Sequence, residues 1–271
     1  MKDSRCVAFL QQVLPQMGFR WPGFRKVRRQ VCRRLGRRLQ TLNLADLNAY
    51  RVYLETHPAE WIVLESLCRI SISRFWRDRG MWEVLGESVL PALARNALIR
   101  GDTALHSWCV GCASGEEPYT LNLMWQLAIQ PQFPGLSCRI LATDIDPHLL
   151  QRARNGCYPA SSLRELPAAW RELAFDEREN DSCLRPEYRL AVTFQAQNIR
   201  TDTPAELYDL VLCRNLVFTY FDEPNQRQVL ARLCEQLRPG GALVIGKTEH
   251  LPAEIEGLTT WDNQVRIYRR S

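Results

Sequence analysis

Residues Gly111 to Tyr119 read GCASGEEPY, directly after the apolar run Trp108-Cys109-Val110 and directly before a helix-like stretch from Thr120 to Ile129. The order is strand, tight glycine turn, helix start, which is the junction where α/β folds bind nucleotides. A dinucleotide would set its pyrophosphate on the helix N-terminus, where N–H groups without helical partners favour anions. Glu116 and Glu117 already occupy that first turn, where the helix dipole stabilises carboxylates. Two fixed negative charges repel phosphate and attract a cation. S-adenosylmethionine, a nucleoside carrying an ammonium and a sulfonium, meets these conditions; NAD and ATP do not.

Ligand groups in such a sheet belong at the carboxyl ends of the strands. The first strand ends at Gly111. The second ends in Asp144-Ile145-Asp146, where a carboxylate can accept hydrogen bonds from both ribose hydroxyls. The third ends near Asn198, whose amide can read an adenine edge, and the fourth in Arg214-Asn215. Each has an ordinary alternative, since Asp after a strand commonly caps a helix and Asn commonly shapes a turn. Polar groups at four successive strand ends are harder to explain that way.

The elements that would position these residues follow from periodicity. From Val27 the apolar residues Val31, Leu35 and Leu39 recur every four, with arginines on the other faces, which predicts an amphipathic helix. Further helices are expected over 44–56, 61–67 and 76–95, so residues 1–100 form a small helical N-terminal domain. From Leu105 the pattern changes to strands near 105–110, 138–143, 192–196, 207–213, 242–246 and 265–268, with helices near 116–129, 147–154 and 224–237. This alternation predicts an α/β fold with a mostly parallel sheet over residues 101–271. Residues 156–191 are polar, longer than an ordinary connection, and read as an insertion.

Composition narrows the setting. Apolar content of 46% and charged content of 24% are those of a globular domain. No apolar run reaches the roughly 18 residues of a membrane span, and the first twenty residues make a poor signal peptide, so a cytoplasmic location is expected. On that basis the ten cysteines are expected to be free, mostly buried thiols. Cys109-x-x-Cys112 lacks a second ligand pair, and no metal site is expected. Residues 1–45 carry eleven cations and one acid, a net of +10 in a chain of +5 overall, so the remainder carries −5. Nine of those cations lie between Arg20 and Arg38 without an acid among them. A solvated face, a nucleic-acid or lipid contact, and an acidic protein partner all remain open for the basic helix at 25–38. Nucleic acid is disfavoured, because no aromatic residues interleave the polar face.

In combination, the segments make the chain similar to the CheR family, S-adenosylmethionine-dependent glutamate methyltransferases of chemotaxis receptors. They are the helical N-terminal region, Ser73 to Arg77, GCASGEEPY, ATDID at 142–146, ARNGCY at 153–158, CRN at 213–215, YFD at 220–222, LRPGGALVIG at 237–246 and Thr248-Glu249. The resemblance implies a class I methyltransferase fold (Rossmann-like) with an all-helical N-terminal domain and a β-subdomain inserted at about 156–191. It also implies a chemoreceptor-like acidic helical partner for the basic helix. Carried over by position, the cofactor contacts are Ser71, Ser73, Arg77, Glu116, Asp144, Asn198, Ile199, Arg214 and Asn215, beside the turn at Gly111. Glu116 is preferred to Glu117 for the methionine ammonium, and Arg77 is assigned to the methionine carboxylate. Ser71 and Ser73 replace the family's Asn and Thr, and Phe75-Trp76 its Phe-Phe. The segment from Asn215 to Tyr220 is one residue longer than the family pattern.

Methyl transfer to a glutamate needs few catalytic groups. A glutamate side chain, with an ordinary pKa of about 4.3, is already ionised at neutral pH and needs no general base. The enzyme has to align carboxylate and methyl and exclude water. Tyr220 is the candidate for orienting the carboxylate, with a plain aromatic wall as its alternative. Two other readings stand beside this one: a methyltransferase for another protein or a small acid, and a non-catalytic cofactor-binding scaffold.

Overall fold

The computed structural model describes residues 3–252 and 257–271. The chain folds into two compact units, one formed by residues up to Ser71 together with Thr219–Gln226, the other by Ile72–Phe218 and Arg227–Ser271.

The helical unit contains Asp3–Val13, Trp21–Phe24, Arg28–Thr41, Leu47–Thr56 and Glu60–Cys68. Val31, Leu35 and Leu39 are the buried residues of Arg28–Thr41, as the four-residue repeat requires. Asp46 starts the next helix, its carboxylate accepting from the N–H groups of Asn48 and Ala49 at 3.0 Å each, a cap worth about 1 kcal/mol. Glu60 is 5% exposed. Arg38 donates to both its oxygens, at 2.8 and 2.6 Å, and the Tyr50 hydroxyl donates at 2.7 Å. Those donors hold the Glu60 carboxyl below its ordinary range, the Arg38 hydrogen bond contributing most.

The main sheet has seven strands: β1 (Ala104–Val110), β2 (Ser137–Asp144), β6 (Val192–Ala196), β7 (Tyr208–Cys213), β8 (Leu237–Ile245), β9 (Leu258–Asp262) and β10 (Ile267–Arg270). Their order is β6-β2-β1-β7-β8-β10-β9. All pairings are parallel except those of β10 with β8 and β9. Every residue of β7 is buried, the signature of a strand covered on both faces. Strand order reverses between β1 and β7, so a crevice opens at their carboxyl ends. The helices Arg79–Val84 and Leu90–Ile99 flank a π-helical turn at Leu85–Val89, and their apolar residues join the core of the sheet unit.

The insertion between β2 and β6 carries its own three-stranded sheet, β3 (Cys157–Tyr158), β4 (Phe175–Glu177) and β5 (Ser182–Leu184), in the order β3-β5-β4. Periodicity shows none of these strands, because two or three residues are too few to alternate. The first helix, Asp3–Val13, is likewise absent from the sequence expectation.

The cysteines require a correction. Cys6 is disulfide-bonded to Cys32, and Cys157 to Cys183, while Cys68, Cys109, Cys112, Cys138, Cys213 and Cys234 are free. Both bonded pairs span 26 residues and join elements the sequence did not reveal, the first helix in one case and β3 and β5 in the other. Without those elements, no spacing pointed to a pair.

Candidate active site

Backbone geometry explains the glycines of the turn. Gly111 and Gly115 have φ of +69° and +93°. A Cβ at Gly111 would lie 2.4 Å from the Leu216 side chain, and one at Gly115 would lie 2.9 Å from Ala153 Cβ. The helix Glu116–Met124 starts at Gly115, so Glu116 and Glu117 occupy its first turn.

The two carboxylates are treated differently. Glu116 is 3% exposed. Its oxygens accept from the Ser114 hydroxyl at 3.0 and 3.1 Å, and Ser73 also donates to it. Glu116 makes no ion pair among the described residues. Desolvation raises its pKa against the opposing pull of backbone N–H, the two serines and more distant Arg152. Glu117 keeps 16% of its side chain exposed and accepts from Arg214 Nη1 at 2.7 Å. Its pKa is also raised, desolvation outweighing Arg214.

Arg214, which closes β7, is a buried fork. Its Nη2 donates to Asp78 at 2.6 Å and to the Arg77 carbonyl at 3.1 Å, and its guanidinium lies 5.7 Å from the Trp82 ring centre. It thereby ties the 76–78 loop, where Trp76 and Asp78 have positive φ, to the first turn of the helix. Arg77 itself donates to the Ile72 carbonyl at 2.9 Å.

Asp144 lies at the end of β2 and braces the turn. One oxygen accepts from Ala113 N–H and the other from Asp146 N–H, each at 2.9 Å. Asn198 adopts its ordinary alternative at least in part, its side-chain oxygen accepting from Arg200 N–H at 3.1 Å in a turn. Neighbouring Ile199 is 8% exposed. Asn215 has φ of +56°, and its N–H donates to Glu249 at 2.8 Å. Glu249 also accepts from Gly246 N–H at 2.6 Å, so one carboxylate clips the ends of β7 and β8 together.

The sheet unit therefore gathers Ser73, Arg77, Gly111, Glu116, Asp144, Asn198, Ile199, Arg214 and Asn215, mostly at strand ends. Ser71 and Tyr220 belong to the helical unit, where the Tyr220 ring lies 5.0 Å from Phe24. Sequence reasoning assigned no role to Ser114 or Glu249. Ser114 sits within the glycine motif, and Glu249 was visible only as part of a resemblance. Cys109 and Cys112 are one strand and one turn residue, both buried, and burial pushes both thiols up.

A nearly sealed carboxylate that makes no ion pair among the described residues, in the first turn of a helix entered through a tight glycine turn, fits a cationic ligand better than a phosphate. The family model described as CheR methyltransferase, SAM binding domain, matches residues 71–266. The chain belongs to the CheR methyltransferase family. A chemotaxis protein methyltransferase of Listeria innocua is 37% identical over 73% of this chain and 72% of its own length. A probable chemotaxis protein methyltransferase of Rhizobium etli is 30% identical over 85% of this chain and 90% of its own. Among solved structures, the N-methyltransferase NodS from Bradyrhizobium japonicum, in complex with S-adenosyl-L-homocysteine, is 16% identical. It covers 70% of this chain and 91% of its own with a TM-score of 0.37, a likeness too distant to add to the strand order. As a CheR-family member the chain is an S-adenosylmethionine-dependent methyltransferase with a Rossmann-like, mostly parallel sheet. When bound, the cofactor supplies an electrophilic methyl group on its sulfonium. No helix among the described residues is long and apolar enough to cross a membrane.

Proposed function

We propose that this enzyme forms methyl esters on glutamate side chains of a chemoreceptor. The observation that carries the reading is the unpaired, buried Glu116 in the cofactor turn of a chain whose relatives are named chemotaxis protein methyltransferases. Glu116 receives the methionine ammonium, with Glu117 as its rival. Arg77 meets the carboxylate, Asp144 the ribose, and Asn198 with Ile199 the adenine. Ser71, Ser73, Gly111, Arg214 and Asn215 complete the cofactor contacts, and Tyr220 orients the acceptor carboxylate. The acceptor arrives ionised and attacks in line, so the protein's task is alignment and exclusion of water.

The basic helix docks an acidic helical domain of the receptor. Its arginines sort into two sets. Arg28 pairs with Asp3, Arg34 donates to the Leu67 and Arg69 carbonyls, and Arg38 pairs with Glu60. Arg25, Lys26, Arg29, Arg33 and Arg37 are exposed and make no ion pair among the described residues. A cytoplasmic location belongs to the same reading.

Incubation with labelled-methyl cofactor and chemoreceptor cytoplasmic fragments tests it. Label that transfers to the fragment and is released as methanol by mild base identifies a glutamyl ester. Base-stable label, or transfer only to other acceptors, would overturn the assignment.

A further inference from the structure

One side chain joins the inserted sheet to the cofactor turn. Tyr158, the second residue of β3, is 1% exposed, and its hydroxyl donates to the Ser114 carbonyl at 2.7 Å. A Cβ at Gly115 would lie 3.0 Å from that hydroxyl. The hydroxyl of Ser114 in turn donates to both oxygens of Glu116. The Tyr158 ring is fixed edge-on against Phe75, 4.9 Å away between centres, and Phe75 N–H donates to the Ser162 carbonyl within the insertion. A continuous set of contacts therefore runs from the insertion through the turn to Glu116, the carboxylate that on the function proposed above meets the cofactor, and the inference rests on that reading.

The strand carrying Tyr158 is short. β3 pairs with β5 through only two residue pairs, Cys157 with Cys183 and Tyr158 with Ser182. The first of these is also the disulfide. A two-residue strand has little cooperative pairing of its own, so the covalent link between its first residue and β5 is a large part of what fixes its position.

We propose that Tyr158 is a positioning residue for the cofactor turn, and that the Cys157–Cys183 disulfide makes cofactor affinity depend on redox state by fixing β3 against β5. A dithiol delivers two electrons and two protons. The sulfur–sulfur bond opens to two thiols, and the reductant closes to its own disulfide. β3 then loses its covalent tie to β5 and keeps its backbone pairing and the packing of Tyr158 against Phe75, and the grip of Tyr158 on Ser114 loosens.

The test measures affinity for S-adenosylhomocysteine by calorimetry on the full chain, oxidised and dithiothreitol-reduced. A Cys6→Ala/Cys32→Ala background leaves only the β3–β5 pair to respond. Reduction is expected to weaken binding about tenfold, the order of one buried hydrogen bond. Tyr158→Phe should weaken the oxidised form by a similar factor and abolish the difference between redox states. Cys157→Ser/Cys183→Ser should match the reduced form and ignore the reductant. By reciprocity, saturating S-adenosylhomocysteine should lower the midpoint potential of the pair by about 30 mV, the equivalent of tenfold, and this shift should vanish in Tyr158→Phe. Equal affinity in both redox states, unchanged affinity in Tyr158→Phe, or free thiols at both positions after air oxidation would each overturn the proposal.

Discussion

Five cations of the helical unit, Arg25, Lys26, Arg29, Arg33 and Arg37, lie at the surface without an ion pair among the described residues, whereas Glu116 of the sheet unit is nearly sealed and is held by hydroxyls and backbone N–H, with Arg152 acting on it without an ion pair. The difference is one of solvent. An exposed arginine keeps its hydration, and its attraction is weak, long-ranged and screened by salt. A carboxylate in a low-dielectric pocket has lost its hydration, so a cation that reaches it gains much more. The first arrangement suits a large charged surface met transiently. The second suits one small ion held at a defined place.

Charge removal at Glu116 should have the largest effect. Glu116→Gln is expected to weaken S-adenosylmethionine binding about 100-fold, in line with breaking a buried ion pair. Affinity of the unaltered enzyme should fall as pH drops through the Glu116 pKa, which burial places above the ordinary carboxylate value. Under the proposed assignment of the ammonium to Glu116, protonation removes the attracting charge, so the loss lies on the acid side, and Glu116→Gln should flatten it. Calorimetry from pH 5 to 8 reads both. Were Glu117→Gln to cost more than Glu116→Gln, the ammonium would belong to Glu117, and the contrast in burial would not govern recognition.

A smaller and salt-dependent effect is expected at the basic helix. Arg33→Gln/Arg37→Gln should weaken association with an acidic receptor fragment about tenfold at low ionic strength and much less at high salt. Indifference to both substitution and salt would remove the exposed cations from partner binding. Tyr220→Phe should have the smallest effect, lowering turnover severalfold while leaving cofactor affinity near its starting value. An unchanged turnover would restrict Tyr220 to packing against Phe24.

Much of the main sheet was legible in the chain. β1 and β7 are buried along nearly their whole length, β2 alternates buried and exposed residues, β6 is short and mostly exposed, and each of the four lies within a residue of its expected position. The glycine turn was legible because Gly111 and Gly115 stand where any Cβ collides. What stayed hidden depends on partners distant in sequence. Arg214 gave no sign that it would fork between Glu117 and Asp78, 97 and 136 residues away. Glu249 gave none that it would clip Asn215 N–H, 34 residues earlier. β9 was missed because its residues are only partly buried, which leaves no apolar run to read.

The chain leaves the sheet after β7, contributes Thr219–Gln226 to the helical unit, and returns for the helix before β8. Phe221 pairs there with Phe19, and the Thr219 carbonyl lies so close to Gly23 that a methyl at that glycine would sit 2.2 Å from it. No single cut in the gene can therefore separate the two units intact. A fragment ending at residue 71 would carry its basic helix yet lack a wall of its own core, and loss of receptor binding in such a truncation would say nothing about the arginines.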